Sequence, residues 1–500
     1  MDNDSEVVHY ASTALSQITK EADLKLQKLE QRYAAAPDDA AVLEEYCNYL
    51  ESYLKDGFVQ GRAAEIQRHQ LEQLLKKRLE NLGGRRSCTL ECRLADVQLS
   101  LAEYDRAEKT LEELNNFSGC GNTLNCNHPI VQQMIVECLR YWTVDYRVDG
   151  FRFDLASILG RNEDGSPMNN PPLLQRLAFD PILGNVKLIA EAWDAGGLYQ
   201  VGSFPAFSHW AEWNGKYRDE LRSFLKGDYW LAPQAVKRIA GSPDLYRSEK
   251  DYQGYNSSVN FITCHDGFTL CDLYSYNQKH NEDNGWNNTD GTDDNRSWNC
   301  GTEGLTDDER IIRLRLKLMK NACAVLLCSR GTPMLLSGDE FGFSKHGNNN
   351  TYCQDNELSW LDWGLVEKNQ ELFQFVRKMI HFRKEHKVIG HELGTARCGF
   401  PAVSVHTLRA WDSSVTNETR TVAVMFAGYD EERETDDIVY LAVNPYWEEQ
   451  YMELPKLPAH SRWRLAADTS DEQPERSLSG NEPCRIGARS VMVLTVAECK

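Results

Sequence analysis

Short apolar runs alternate with amphipathic helices between residue 115 and about residue 389, and this alternation constrains the fold most strongly. The apolar runs span residues 147–154, 186–191, 259–266 and 333–336. One helix, from Pro129 to about Tyr146, precedes the first run, and another, from Asp307 to Ser329, lies between the last two. The pattern predicts an α/β fold of the (β/α)8-barrel type.

Three of these runs end in a carboxylate, namely Asp154, Glu191 and Asp266. In a (β/α) barrel the carboxyl ends of the strands meet at one face, so these side chains could converge. Repulsion between clustered carboxylates raises the pKa of at least one of them, which places a proton donor beside an ionised carboxylate. That pairing suits glycoside hydrolysis. A single strand-end aspartate is more often a helix cap, so the interpretation depends on all three.

The regions on either side of this segment differ from it. Residues 1–114 carry apolar side chains at helical spacing, from Val42 to Leu54, from Ile66 to Leu82 and from Leu94 to Leu114, which predicts a helical region of unknown role. After about residue 390, β-type runs at 421–426, 438–443 and 490–494 predict an antiparallel β-sandwich. The predicted domains are therefore 1–114, 115–389 and 390–500.

The charge of the chain limits its partners. A formal charge of −20 over 500 residues argues against nucleic acid and anionic membranes, because both would repel it, whereas a neutral polysaccharide is compatible.

No apolar run reaches the ~20 residues of a membrane span. The acidic start predicts neither a secretory signal nor a transit peptide. We therefore expect a cytoplasmic protein, or a plastid protein if a replaced N-terminus has removed its address.

The fifteen cysteines are expected to be reduced thiols, since no secretory signal is predicted. Cys88 with Cys92 and Cys120 with Cys126 could suggest zinc. Their spacings differ from those of common zinc sites, and no histidine pair follows them, so we expect no metal.

Several motifs resemble those of one enzyme family. Residues 149–154 (DGFRFD), 190–194 (AEAWD) and 264–267 (CHDG) are similar to three conserved regions of the α-amylase family. Residues 116–123 (NFSGCGNT), 212–219 (EWNGKYRD), 298–301 (WNCG) and 336–342 (LSGDEFG) narrow the resemblance to isoamylase-type debranching enzymes. Residues 191–200 are similar to the corresponding segment of plant and algal isoamylases in particular.

The resemblance implies retaining hydrolysis of α-1,6 branch linkages in starch- or glycogen-type glucans. Asp154 would be the nucleophile and Glu191 the acid/base, about 5–5.5 Å apart as in retaining enzymes. Asp266 would hold sugar hydroxyls and favour the distorted ring of the transition state.

Four further residues would serve the substrate by the same resemblance. Arg152 would orient the nucleophile and keep it ionised, and His265 would bind a sugar hydroxyl. Trp193 and Asp194 would also contact the substrate. This chemistry requires no metal or organic cofactor, and the expected partner is a branched α-glucan.

The sequence departs from the family before residue 115. The helical region stands where the first barrel strands are expected, and a conserved strand end of the form Asp-x-x-x-Asn-His is missing. Asn127-His128 is followed by Pro129 and is typical of a helix start. We therefore expect a barrel that is incomplete on its N-terminal side, because five strands cannot close one of eight. Activity of this chain alone is expected to be weak or absent.

Two alternatives to an active hydrolase stay open. One is a non-catalytic glucan-binding or regulatory subunit that forms homo- or hetero-oligomers through the helical region. The other is a truncated product without activity.

Overall fold

The computed structural model describes residues 20–55, 61–82, 90, 93–95, 97–98, 101, 116–246, 254–470, 477–478 and 483–498. The chain divides into two compact units. The first contains Met1–Val148, Asp154–Asn185 and Trp193–Tyr199, and the second contains Asp149–Phe153, Val186–Ala192 and Gln200–Lys500. Cys88, Cys92 and most of the run from Leu94 to Leu114 lie outside the described residues. The predicted domain boundaries near residues 114 and 389 stay predictions.

The first unit opens with helices, as its apolar spacing predicts. Residues 20–35 are helical, and helices Ala40–Lys55 and Gly61–Glu80 follow. Asp39 caps the helix Ala40–Lys55, because its Oδ1 accepts hydrogen bonds from the backbone N–H groups of Ala41 and Val42. The core between these helices contains Leu26, Leu29, Leu43, Tyr46, Leu50, Leu71, Leu74 and Leu75.

The remainder of the first unit includes the predicted helix at Pro129–Val144, in which Pro129 takes the first position. The apolar row predicted along one side of this helix is exposed: Ile130, Met134, Cys138 and Trp142. Two 3-10 helices, Ala156–Gly160 and Leu183–Asn185, flank the helix Pro172–Phe179.

The second unit contains a parallel sheet of five strands. They are β1 Gly150–Phe153, β2 Lys187–Ala190, β3 Ala211–Trp213, β4 Ser258–Asn260 and β5 Thr332–Pro333. Their order in the sheet is their order in the chain, and every neighbouring pair is parallel. The carboxyl ends of all five strands therefore lie along one edge, as in a barrel.

Helices connect and cover these strands. They span Gly215–Lys226, Ala232–Ile239, Pro243–Tyr246, Leu270–Leu273, Glu309–Cys328, Leu365–Lys368, Gln370–Glu385 and Lys387–Gly390. Short 3-10 helices lie at Tyr255–Ser257, Glu282–Asn284 and Asp339–Phe341. Helix Glu309–Cys328 confirms the prediction for residues 307–329, and Asp308 caps it by accepting from the N–H of Arg310.

The C-terminal part is antiparallel, as predicted. Its strands are β6 Val403–His406, β7 Val422–Asp430, β8 Thr435–Asn444, β9 Gln450–Met452, β10 Ser461–Asp468, β11 Ser477–Leu478, β12 Cys484–Ile486 and β13 Ser490–Glu498. Six of them form a sheet in the order β11-β10-β13-β8-β7-β6, while β9 and β12 form a separate pair. The second layer of the predicted sandwich is thus a two-stranded ribbon.

Both faces of the six-stranded sheet are buried. Along β7, Val422, Val424 and Phe426 join the core that includes helix Glu309–Cys328. The alternate residues Ala423 and Met425 join a second core, which includes Met452 of β9 and Ile486 of β12. Burial on both faces explains why β7 and β8 are continuous apolar runs in the sequence. Within the described ranges, no helix is both long and apolar enough to cross a membrane.

Candidate active site

Parallel pairing in the second unit brings the ends of β1, β2 and β3 together. Phe153 lies opposite Ala190, and Ala190 lies opposite Glu212. The N–H of Glu191 donates to the carbonyl of Phe153 at 3.1 Å, which fixes Glu191 just beyond the end of β2. Arg152 near the end of β1 and Trp213 at the end of β3 share this edge of the sheet.

Arg152 and Glu191 form an ion pair at this edge. Arg152 Nη2 lies 2.7 Å from Glu191 Oε1, and only 3% of the Glu191 side chain is exposed. A carboxylate buried to this extent needs a paired charge, and Arg152 supplies it. The guanidinium also lies 4.1 Å from the centre of the Trp213 ring, in cation–π geometry.

His265 and Asp266 continue this set of contacts. The His265 ring lies 5.7 Å from the Trp213 ring at an angle of 60°, and His265 Nε2 lies 3.5 Å from Asp266 Oδ1. Their side chains are 55% and 64% exposed. Glu191 is therefore buried and paired, whereas His265 and Asp266 are accessible to a ligand.

A buried aspartate fixes the loop that carries His265 and Asp266. Asp339 Oδ1 accepts from the N–H of Leu270 at 2.8 Å, and its Oδ2 accepts from the hydroxyl of Thr263. The two bonds tie both ends of the loop to one carboxyl group. Burial raises the pKa of the Asp339 carboxyl to about 7.

Two further contacts hold the same loop. Arg222 Nε donates to the carbonyl of Ile262 at 2.6 Å, and the N–H of Gly267 donates to the carbonyl of Asn349 at 3.0 Å. Burial lowers the pKa of the Arg222 guanidinium to about 10. The loop that carries the accessible Asp266 is therefore held by hydrogen bonds at Ile262, Thr263, Gly267 and Leu270.

Glu212 precedes Trp213 on β3, and alternation along the strand sends its side chain the other way. It is buried, and its Oε2 accepts from the N–H of Gly202 at 2.7 Å. Burial raises the pKa of the Glu212 carboxyl to about 7.

Asp154 belongs to the first unit. It directly follows the last residue of β1 in the chain, precedes the 3-10 helix Ala156–Gly160, and has an exposed side chain. The spacing of about 5–5.5 Å between Asp154 and Glu191 stays a prediction.

Trp193 and Tyr199, also in the first unit, form an aromatic pair. Their rings are nearly parallel, with centres 5.9 Å apart and planes at 11°. Tyr199 is 46% exposed and Trp193 is half-buried. Flat, partly exposed rings of this kind suit contact with a sugar ring, and the substrate contact of Trp193 stays a prediction.

The predicted substrate contact of Asp194 needs correction. Its side chain is fully buried, at 0% exposure, and forms an ion pair with Arg161. Arg161 and the backbone N–H groups of Gly196 and Leu198 donate to its two oxygens. The carboxylate is thus occupied by protein donors, and its role is structural.

The structure therefore brings Arg152, Glu191, His265 and Asp266 together in the second unit. Sequence reasoning missed Trp213, which connects Arg152 to His265 through ring contacts. A signal was present, because Trp213 lies in the motif at residues 212–219.

Comparison with known proteins identifies the class first. The family model for the α-amylase catalytic domain matches residues 112–361, and the chain belongs to the α-amylase family. A pullulanase from Bacillus acidopullulyticus has the same kind of fold, with a TM-score of 0.55 and 23% identity over 76% of this chain and 42% of that one. A pullulanase from Anoxybacillus sp. LM18-11, complexed with maltotetraose, gives a TM-score of 0.54 at 22% identity over 76% of this chain and 48% of that one.

Within the family the chain is of the isoamylase type, which confirms the resemblance of its motifs. It is 44% identical to isoamylase 3, chloroplastic, of Oryza sativa subsp. japonica over 72% of this chain and 45% of the relative. It is 42% identical to the glycogen operon protein GlgX homolog of Mycobacterium tuberculosis (strain CDC 1551 / Oshkosh) over 79% of this chain and 57% of the relative. The chain thus spans about half the length of the curated relatives it matches.

Proposed function

We propose that this chain carries the nucleophile and the acid/base of an α-glucan debranching site, and that it hydrolyses α-1,6 branch linkages with retention. The observation that carries the proposal is the contact between Arg152, Glu191, Trp213, His265 and Asp266 at the carboxyl edge of the parallel sheet. The names of the relatives, isoamylase and glycogen debranching enzyme, support the linkage and the substrate.

The reaction would follow two displacements. Asp154 attacks the anomeric carbon of the branch while Glu191 gives its proton to the bridging oxygen, so that the main chain leaves as an alcohol through its 6-hydroxyl and the branch remains as a glucosyl ester on Asp154. Glu191, now a carboxylate, takes a proton from water, and the resulting nucleophile breaks the ester. Asp266 and His265 are exposed, so they are available to hold hydroxyls of the reacting sugar.

The ion pair between Arg152 and Glu191 sets a condition on this mechanism. A general acid carries a proton, whereas an ion-paired carboxylate does not. We therefore propose that Glu191 leaves Arg152 when the bridging oxygen enters, and that the guanidinium stays over Trp213. Desolvation by the bound glucan would favour the neutral acid at that stage.

Incomplete closure of the barrel is part of the proposal. In the described part of the chain, β1 and β5 form the two edges of the parallel sheet. A cavity of about 850 Å³ lies beside β5 and is lined by Thr332, Pro333, Leu335, Ile380 and Arg383, among others. Three more β/α units would close a barrel of eight strands and occupy this space. Activity without them would be weak.

The proposal also covers the ligand, the oligomeric state and the location of the protein. A branched α-glucan is the proposed ligand, and oligomers would form through the helical region. The rice relative is named chloroplastic, so a plastid stands beside the cytoplasm as a proposed location.

Purified chain incubated with amylopectin tests the proposal through the release of reducing ends. Weak release is expected, and it should rise when a polypeptide covering the first half of rice isoamylase 3 is added. Glu191→Gln should abolish release in both samples, while Glu367→Gln, a change at an exposed carboxylate in helix Leu365–Lys368, should leave it unchanged. Equal rates for wild type and Glu191→Gln would contradict hydrolysis at this site. Tight amylopectin binding without release in either sample would instead identify a non-catalytic subunit.

A further inference from the structure

The segment Trp193–Tyr199 of the first unit is a closed turn. Trp193 and Tyr199 form an antiparallel bridge, and the N–H of Asp194 donates to the carbonyl of Leu198 at 3.0 Å. Gly197 has a φ of +86°, which favours glycine. The turn therefore places the two stacked rings of Trp193 and Tyr199 side by side at its base.

A bidentate ion pair holds this turn from inside. Arg161 Nε lies 2.7 Å from Asp194 Oδ2, and Arg161 Nη2 lies 3.0 Å from Asp194 Oδ1. The same Oδ1 accepts from the N–H groups of Gly196 at 3.0 Å and Leu198 at 3.2 Å. Two parallel N–H···O bonds fix both the distance and the orientation of the two groups. Arg161 thus fixes the backbone of the turn through Asp194.

Phe117 completes the support from a separate segment. Its carbonyl accepts from the N–H of Ala195 at 2.9 Å, and its ring centre lies 3.9 Å from the Arg161 guanidinium. The ring is also so close to Gly196 that a Cβ there would come within 2.5 Å of it. Phe117 is anchored in turn by its own N–H, which donates to Thr123 Oγ1 at 2.8 Å.

We propose that Arg161 and Phe117 are positioning residues that hold the Trp193–Tyr199 pair in the orientation needed to stack on a glucose ring of an α-glucan. The identity of the ligand rests on the proposed function, whereas the support itself does not. The proposal gives a role to the motif at residues 116–123, which no catalytic step uses: it supplies Phe117 and, through Thr123, fixes its position.

Amide hydrogen exchange tests the support without any ligand. Arg161→Lys removes the second N–H···O bond and the flat face over Phe117 while it keeps the charge. We expect the amides of Ala195, Gly196 and Leu198 to exchange at least about tenfold faster than in wild type. Phe117→Leu keeps the backbone carbonyl and should accelerate the same amides to a smaller extent. Unchanged exchange in Arg161→Lys would overturn the proposal.

The matched control lies in the same unit. Arg140 pairs with Asp180 through two nitrogens, and Asp180 accepts from the N–H groups of Ile182 and Leu183. Arg140→Lys should therefore accelerate exchange at 182 and 183 and leave residues 194–199 unaffected. Acceleration at both places in both variants would indicate general loosening and would contradict a local support.

Titration with maltotetraose, followed by tryptophan fluorescence, tests the use of the ring pair. Arg161→Lys should weaken binding about tenfold, corresponding to about 1.4 kcal/mol. In a background that carries both Trp193→Ala and Tyr199→Ala it should have no further effect, because both rings it positions are gone. Unchanged affinity together with faster exchange would overturn the role in binding. Absence of maltotetraose binding by wild type would count against the proposed function, while the exchange result would still decide whether the support exists.

Discussion

At the scale of single residues, Arg152 contacts both Glu191 and Trp213 and so links the groups of the candidate site. It neutralises Glu191, which is buried, and its planar face covers Trp213. Without the guanidinium, both the Glu191 carboxylate and the face of the Trp213 ring would lose the cation that they contact. The guanidinium therefore has a structural and an electrostatic role at once.

Arg152→Met tests the structural role. The variant leaves the Glu191 carboxylate buried without its guanidinium, and breaking a buried pair from one side costs about 3–5 kcal/mol. Urea unfolding should show a loss of that size, and adding Glu191→Gln should recover part of it. The exposed pair of Arg310 with Asp308 provides the control, since Arg310→Met should not change stability measurably. Equal, small effects of the two substitutions would contradict a buried pair.

The pKa of Asp339 gives a prediction about pH. The pKa is about 7 in the folded chain and about 3.9 in the unfolded chain, so the folded state binds more protons between these values. This contribution to the free energy of unfolding therefore falls as pH rises from about 4 to about 7. Asp339→Asn should lose less stability than wild type between pH 5 and pH 8 in urea unfolding. If the free energies of unfolding of the two proteins changed with pH in parallel, Asp339 would be ionised over the whole range, and the prediction would be wrong.

At the scale of helices and strands, long periodic segments were predictable and short ones were not. Helices Pro129–Val144 and Glu309–Cys328 and strands β7 and β8 agree with their apolar patterns, because such lengths show a clear period. Strand β3 has three residues and β5 has two, too few to show any alternation. Strand periodicity therefore could not identify Trp213, and only the motif at residues 212–219 pointed to it.

Contacts between residues that are far apart in the chain could not be predicted from the sequence either. Asp194 was predicted to contact the substrate through the resemblance of residues 190–194 to a family motif, yet it is buried and paired with Arg161, thirty-three residues away. Asp339, in the 3-10 helix Asp339–Phe341, supports the loop of His265 from a distant part of the chain. Asp154 and Glu191 directly follow strands, as the local pattern predicted, whereas Asp266 lies in a loop beyond the end of β4 and not at a strand end. The contacts that support this loop are tertiary.

Helix Glu309–Cys328 offers a prediction at this scale. Leu318 is fully buried in the core that this helix shares with the six-stranded sheet. Leu318→Ala should therefore lower the free energy of unfolding by about 2–5 kcal/mol. Ile312 lies on the same helix but is exposed, so Ile312→Ala should cost less than about 1 kcal/mol. A similar small loss for both in urea unfolding would contradict the packing of this helix.

At the scale of the whole molecule, the chain combines a family signature with half of the relatives' length. Under the proposed function the groups at the carboxyl edge of the parallel sheet serve acid/base chemistry. Further β/α units would pair with β1 and β5, the edges of this sheet among the described residues. The net charge of −20 is compatible with a neutral polymer as ligand. Debranching chemistry and incomplete closure are thus separate proposals, and each can fail without the other.

Covalent trapping tests the chemistry most directly. An α-maltosyl fluoride has a leaving group that needs no general acid, so Glu191→Gln should still form the glucosyl ester and then fail to hydrolyse it quickly. Mass spectrometry of the digested protein should locate the sugar on Asp154, and Asp154→Asn should carry none. A sugar attached to another residue, or one that persists in Asp154→Asn, would contradict the account.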